Sequence, residues 1–275
     1  SISLAPNVDL LKDCQFTDTH AHIYTNDFDE DRSAMMDRSL EAGIKRVFLP
    51  NIDNDSTRSM LDLSRQYPDR CFPMFGLHPC SVRPNWKEEL DKMAEIIGDT
   101  PMWGIGETGT DLYWDKTYIK EQQDSLRYHA KLAIEYDLPL ILHVRDSFEA
   151  TFEVIDEVNE PSLKGIFHCF TGNLPQAERI LQYGGFKIGI GGVVTFKNTH
   201  LRDTLLNLSP EHLVLETDSP YLSPTPYRGK RNEPAYIKRI APIVAEVFDI
   251  TLDELSAITE ENVNALFQKA VHVKA

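Results

Sequence analysis

The chain has 275 residues, 41% hydrophobic and 26% charged, with 14 Gly and 16 Pro, an ordinary globular composition that excludes collagen, coiled coil and wholesale disorder. Its 28 Lys and Arg against 43 Asp and Glu leave a net charge of −15. Such a surface repels polyanions at long range, which excludes a shape-blind basic binder of nucleic acid but not an enzyme that meets phosphate at one cationic spot.

No run approaches the roughly 18 consecutive apolar residues of a membrane helix, so no membrane partner is expected. Residues 1–6 lack a basic region followed by an apolar core, so no secretory signal is visible. Cys14, Cys71, Cys80 and Cys169 form no CxxC pair. That argues against a zinc ribbon or disulfide scaffold and suits a reducing, cytoplasmic setting.

In chain order, short apolar runs predict strands over 14–19, 46–50, 72–77, 102–107, 138–143, 165–170, 186–190 and 213–217. Between them, helical periodicity covers 29–42, 55–67, 86–98, 117–136, 147–158, 174–183 and 197–208, with 234–248 and 252–269 after the last strand. Asn173-Leu174-Pro175 opens one helix, Ser209-Pro210 stops another, and Thr251 followed by Glu254 reads as a capping box. Eight strand–helix periods are the count of an α/β (β/α)8 TIM barrel, expected here as one domain over 1–275 with an extra C-terminal helix. The rival is an open doubly wound sheet, which would normally carry a glycine-rich phosphate turn after its first strand. This chain has Asp18-Thr19-His20-Ala21-His22 there instead.

In a barrel the C-terminal ends of the strands converge on one face, where active sites are built. The predicted strand ends carry His20 and His22, His78, Glu107, His143, His168 and Asp218. Each has a bland reading alone: a satisfied core histidine, a helix-capping carboxylate, a turn aspartate. The other histidines serve as a control. His129, His200, His212 and His272 fall on no such end and read as structural or surface residues. Chemically, four imidazoles and two carboxylates make two adjacent divalent-ion sites. His20, His22 and Asp218 would hold one ion, His143 and His168 the other, and Glu107 would bridge. Mixed N and O donors suit Zn²⁺, Mn²⁺, Ni²⁺ or Fe²⁺ better than Ca²⁺ and disfavour an all-oxygen Mg²⁺ cage. Two ions roughly 3.5–4 Å apart clamp the attacking and leaving oxygens of an in-line displacement. Asp218 is the candidate base, and His78 the candidate for holding an anionic substrate.

Asp18-Thr19-His20-Ala21-His22, Gly106-Glu107-Thr108-Gly109, Leu142-His143-Val144-Arg145, Phe167-His168-Cys169-Phe170-Thr171-Gly172, Glu216-Thr217-Asp218-Ser219-Pro220-Tyr221-Leu222 and Arg228-Gly229-Lys230-Arg231-Asn232-Glu233-Pro234 occur in that order. As a set they resemble the TatD family of metal-dependent deoxyribonucleases, within the amidohydrolase-like barrels, over roughly residues 15–267. The resemblance implies a (β/α)8 barrel that hydrolyses phosphodiesters, often as a 3′→5′ exonuclease on single-stranded DNA, with two divalent ions (Mg²⁺, Mn²⁺, Zn²⁺ or Ni²⁺). It implies ligand roles for His20, His22, Glu107, His143, His168 and Asp218, and a place near the substrate phosphate for His78. Two departures stand out: Cys80 replaces the second histidine of the family's GxHPH motif, and Thr110-Asp111-Leu112-Tyr113 replaces its usual Leu-Asp-Tyr.

The cationic segment of Lys230 and Arg231 precedes a helix start marked by Asn232 and Pro234, and is expected to contact phosphate. For Arg145, two residues after His143, phosphate contact and an internal salt bridge are equally open. Tyr113, Trp114 and Tyr221 fall in loops where they could stack bases. The leading expectation is thus a metal-dependent deoxyribonuclease. An ester hydrolase such as an aminoacyl-tRNA deacylase would use the same activated water, and a non-catalytic nucleic-acid-binding barrel is the reading from another class.

Overall fold

Residues 14–275 are described by the computed structural model, so the reading of residues 1–6 lies outside them. The strands are β1 (Phe16–Asp18), β2 (Ile44–Leu49), β3 (Cys71–Pro73), β4 (Ile105–Asp111), β5 (Leu140–Arg145), β6 (Gly165–Phe167), β7 (Phe186–Ile190) and β8 (Leu213–Leu215). They alternate with helices α1 (Arg32–Glu41), α2 (Asn54–Gln66), α3 (Trp86–Ile97), α4 (Ile119–Tyr136), α5 (Phe148–Val158), α6 (Leu174–Gln182) and α7 (Leu201–Leu205). After β8 come α8 (Ile237–Val247) and α9 (Leu252–Leu266).

Every neighbouring pair is parallel, in the orders β1-β2-β3 and β4-β5-β6-β7-β8. The two sets join where Phe75 bridges to Ile105, and again where Thr19 N–H donates to Leu215 C=O at 3.1 Å across β1 and β8. The result is the expected (β/α)8 barrel.

Local chemistry sets several element ends. Asp53 caps α2 by accepting from Ser56 N–H, and Asn173 and Gln176 form a reciprocal box at α6, with Pro175 in its first turn. At α9 only half of the expected box forms. Thr251 accepts from Glu254 N–H, while the Glu254 carboxylate turns to the Thr251 hydroxyl. The helix expected over 197–208 is only five residues long, and short 3₁₀ turns at Gly192–Thr195 and Pro210–His212 lie on either side of it.

The barrel interior has an apolar floor and a polar mouth. Phe48, Met74, Ile141, Ile166 and Val214 form the inner layer, and Val263, Leu266 and Phe267 close it from beneath, with Phe267 stacked on Phe48 at 3.9 Å between centroids. The side-chain period of two then lifts His143 above Ile141 and His168 above Ile166 on the same inward face. A larger cluster fills the space between barrel and helices.

Glycines let the strands approach at the mouth. A Cβ on Gly76 would lie 2.6 Å from the Gly106 carbonyl carbon, and one on Gly109, at φ +135°, would lie 2.0 Å from His143 O.

Candidate metal centre

Several site residues lie at different points of their strands than the sequence suggests. Glu107 and His143 sit within β4 and β5, whereas His168 and Asp218 lie just past β6 and β8. β3 stops at Pro73, so His78 belongs to a loop, where it caps the 3₁₀ turn Pro79–Ser81. All seven nonetheless converge at one level.

Glu107 is the hub, and it is buried. Its Oε1 stands 3.1 Å from His20 Nε2 and 3.3 Å from His22 Nε2, and both of these nitrogens are also 3.4–3.5 Å from Asp218 Oδ1. Its Oε2 faces the other way, 3.2 Å from His143 Nδ1, 3.1 Å from His168 Nε2 and 3.5 Å from His78 Nε2. One carboxylate therefore turns each of its oxygens to a different set of imidazoles. His20 and His168, from the two sets, stack at 3.5 Å between centroids.

His20 Nδ1 is buried without a hydrogen-bond partner, but outer hydrogen bonds decide which nitrogen of each other ring, when neutral, carries a lone pair toward Glu107. The Tyr24 hydroxyl donates to Pro50 C=O, so it accepts from His22 Nδ1–H and leaves Nε2 bare. Asp111 accepts from His143 Nε2–H at 2.8 Å, leaving Nδ1 bare. Glu216 accepts from His168 Nδ1–H at 3.0 Å, leaving Nε2 bare. His78 is arranged the opposite way. Its Nδ1 accepts from Cys80 N–H at 3.0 Å, so a neutral ring carries its proton on Nε2, toward Glu107. Burial, aided by His143, holds His78 below the ordinary histidine pKa and keeps it neutral. His78 is thus a proton donor among lone-pair donors.

The donor set fits divalent ions. His20, His22 and Asp218 offer donor atoms within 4.8 Å of one another, as do His20, Glu107 and His168. Two ligands about 2.1 Å from a tetrahedral ion lie about 3.4 Å apart, which is the spacing found between these donors. Charge agrees. Burial works against a proton on His22, but Asp218 and Glu107 outweigh it and lift its pKa to about 9. Burial alone would raise Glu107, yet the surrounding imidazoles, His20 foremost, hold it well below the usual carboxylate range. A potential that draws a proton onto His22 also draws a divalent cation.

The centre floors a cavity of ≈ 660 Å³ whose wall includes His78, Cys80, Asp111, Trp114, Arg145 and Tyr221. Tyr113, Trp114, Tyr221 and Leu222 are exposed around or beside it.

The comparisons with known proteins follow the same residues. A family model described as TatD related DNase matches residues 17–268. The chain belongs to the TatD family. An uncharacterized metal-dependent hydrolase of Bacillus subtilis, YabD, is 33% identical over 252 residues, covering 91% of this chain and 98% of that one. Another, YjjV of Escherichia coli, is 31% identical over 257 residues, covering 92% and 98%. The crystal structure of YjjV, a TatD homolog, superimposes with a TM-score of 0.84 over 93% of this chain and 99% of its own.

Within this TatD-family barrel, the expected phosphate contact of Lys230 and Arg231 gains no support from where the residues lie. Lys230 and Arg231 do not line the cavity. Arg231 is bidentate to Asp31 at 2.7 and 2.8 Å and lies over the Phe28 ring. Glu233 accepts from Arg38 Nε, and the buried Asn232 amide donates to Thr217 and Tyr221 carbonyls. The segment straps α1 to the loop after β8 through the Arg231–Asp31 and Arg38–Glu233 pairs.

Arg145 does reach the cavity. The four control histidines stay outside it, and His129 is a buried core residue whose Nε2 accepts from Leu77 N–H. Sequence reasoning missed Tyr24, Asp111 and Glu216. Each stands two or four residues from a ligand candidate, on the spacing that shares a strand face.

Proposed function

We propose that the whole chain is one catalytic domain, a divalent-metal-dependent phosphodiesterase that removes nucleotides from the 3′ end of single-stranded DNA in the cytoplasm. The observation that carries this reading is Glu107, with one oxygen toward His20 and His22 and the other toward His143 and His168. Such a shared carboxylate suits a pair of ions. His20, His22 and Asp218 would hold one, His143 and His168 the second, and Glu107 both. Bound there, the ions would acidify a water and neutralise phosphoryl charge.

The chain's own groups do the rest. Asp218 is the most exposed of the cluster carboxylates, its side chain 15% accessible against 2% for Glu107, so it can take the proton of an attacking water. His78 Nε2–H, which faces Glu107, would donate to a phosphoryl oxygen of bound substrate. Asp111 and Glu216 keep His143 and His168 in the tautomers that leave their lone pairs facing inward. Exposed Trp114 and Tyr221 on the wall suit an unpaired base, and a single mouth suits a strand end.

The test pairs metal analysis with digestion of an end-labelled oligonucleotide in Mn²⁺, Mg²⁺, Zn²⁺ or Ni²⁺. Glu107→Ala should lose bound metal and turnover together, by orders of magnitude more than Cys80→Ala. Absence of cleavage with all four ions, alongside cleavage of a carboxylic ester, would replace the substrate class.

A further inference from the structure

Arg145 closes β5 and stands between two cavities. It lines the one above the metal centre and also an open one of ≈ 520 Å³ beside it, and Val144 and Thr171 are common to both. The two spaces therefore adjoin at this residue.

Some arginines of this acidic chain are paired with acids and others are not. Arg32, Arg38, Arg46, Arg127, Arg179 and Arg231 each hold a carboxylate. Among the described residues, no carboxylate lies within ion-pair distance of Arg145. Its guanidinium instead lies over two exposed rings, 3.7 Å from the Tyr113 centroid and 5.5 Å from that of Trp114, and these rings meet edge to face at 4.8 Å. Stacking fixes the plane of the group, while among the described residues its edge of N–H donors has no protein acceptor. A guanidinium presented in this way matches the oxygens of a phosphate.

The second cavity differs in character from the first. Leu112 and Phe148 give it apolar wall, and Gln176 offers the NH2 of its amide, while the Ser147 hydroxyl there is committed to Thr110. Asp146 and Glu149 also line it and disfavour a further anion there, although Glu149 is exposed and paired with Arg179. That lining suits a neutral base and sugar. Along β5, Arg145 is two residues beyond His143, a rise of about 6.6 Å, which is of the order of one nucleotide step along a strand.

We propose that Arg145, braced on Tyr113 and Trp114, binds the phosphate adjoining the scissile one and directs the next nucleoside into the second cavity. This rests on the phosphodiesterase reading and adds a subsite to it: the substrate is an oligonucleotide, recognised across two successive phosphates.

The experiment uses single-stranded oligonucleotides in which the linkage immediately 5′ of the 3′-terminal, scissile one is an uncharged methylphosphonate. The wild-type protein should lose at least tenfold in kcat/KM when the linkage facing Arg145 is neutral. Arg145→Met should cleave the charged and neutral substrates within twofold of each other, and Arg145→Lys should fall between. An equal penalty in wild type and Arg145→Met, or no penalty in wild type, overturns the subsite while the phosphodiesterase reading stands. Failure of the wild-type protein to cleave even the unmodified strand overturns both.

Discussion

His129 gives a stability prediction that can be worked from its contacts. It lies buried in α4, where Nδ1–H donates to Ser125 C=O at 2.7 Å and Nε2 accepts from Leu77 N–H at 3.0 Å. The second bond requires the neutral ring, and it anchors the chain one residue before His78. Burial lowers its pKa from 6.5 to about 4, against the backbone hydrogen bond to Ser125. Above pH 6.5 the ring is neutral in both folded and unfolded chains, so its contribution to stability is fully present. Between 6.5 and 4 the unfolded chain takes up a proton that the folded one refuses, and stability falls as pH falls. The full depression corresponds to about 3 kcal/mol, of which about 2–2.5 kcal/mol is lost between pH 7 and pH 4.5.

His129→Gln keeps an acceptor for Leu77 N–H and removes the titration. Urea unfolding of chelator-treated protein at both pH values should show a loss of stability smaller in His129→Gln by that amount, the other histidines cancelling between the two proteins. Equal losses in wild type and variant would refute the assignment of a neutral, hydrogen-bonded His129.

Two further outcomes follow from the site. His78→Ala should retain the wild-type metal content while kcat falls about 10²-fold or more, the scale of a lost general-acid or charge-stabilising contact, whereas His143→Ala should lose bound metal; elemental analysis beside steady-state rates separates the two. Arg231→Ala should leave KM for oligonucleotide within about twofold and lower the melting temperature by a few degrees, since truncation breaks a partly exposed bidentate pair to Asp31 worth about 1 kcal/mol; calorimetry and kinetics on one preparation check both.

The barrel was legible because its alternation of short apolar runs and amphipathic stretches is a local signal, and the seven residues at the mouth because strand order brings them to one face. Placement within each strand was less so. The sequence suggested that His78 ends β3, yet the strand stops at Pro73 and a loop carries the ring inward, bonded by Cys80 N–H rather than by a ladder. Glu107 sits in the middle of β4, since that strand runs on to Asp111. Asp111 and Glu216 were readable in principle from even spacing to Glu107 and Asp218, but their tautomer-fixing role appears only once His143 and His168 are placed. The pairing of Arg231 with Asp31, 200 residues apart, has no local signature at all.

The closure of the barrel floor by Phe267 bears on the order in which a nascent chain matures. A ribosome releases β1 through β7 before Glu216 and Asp218 exist, and these come before the helix that seals the apolar layer beneath Phe48. Until α9 docks, that layer stays open to water and the histidines above it lack a finished mouth. Completion of the mouth therefore waits on residues that follow β8 in the chain.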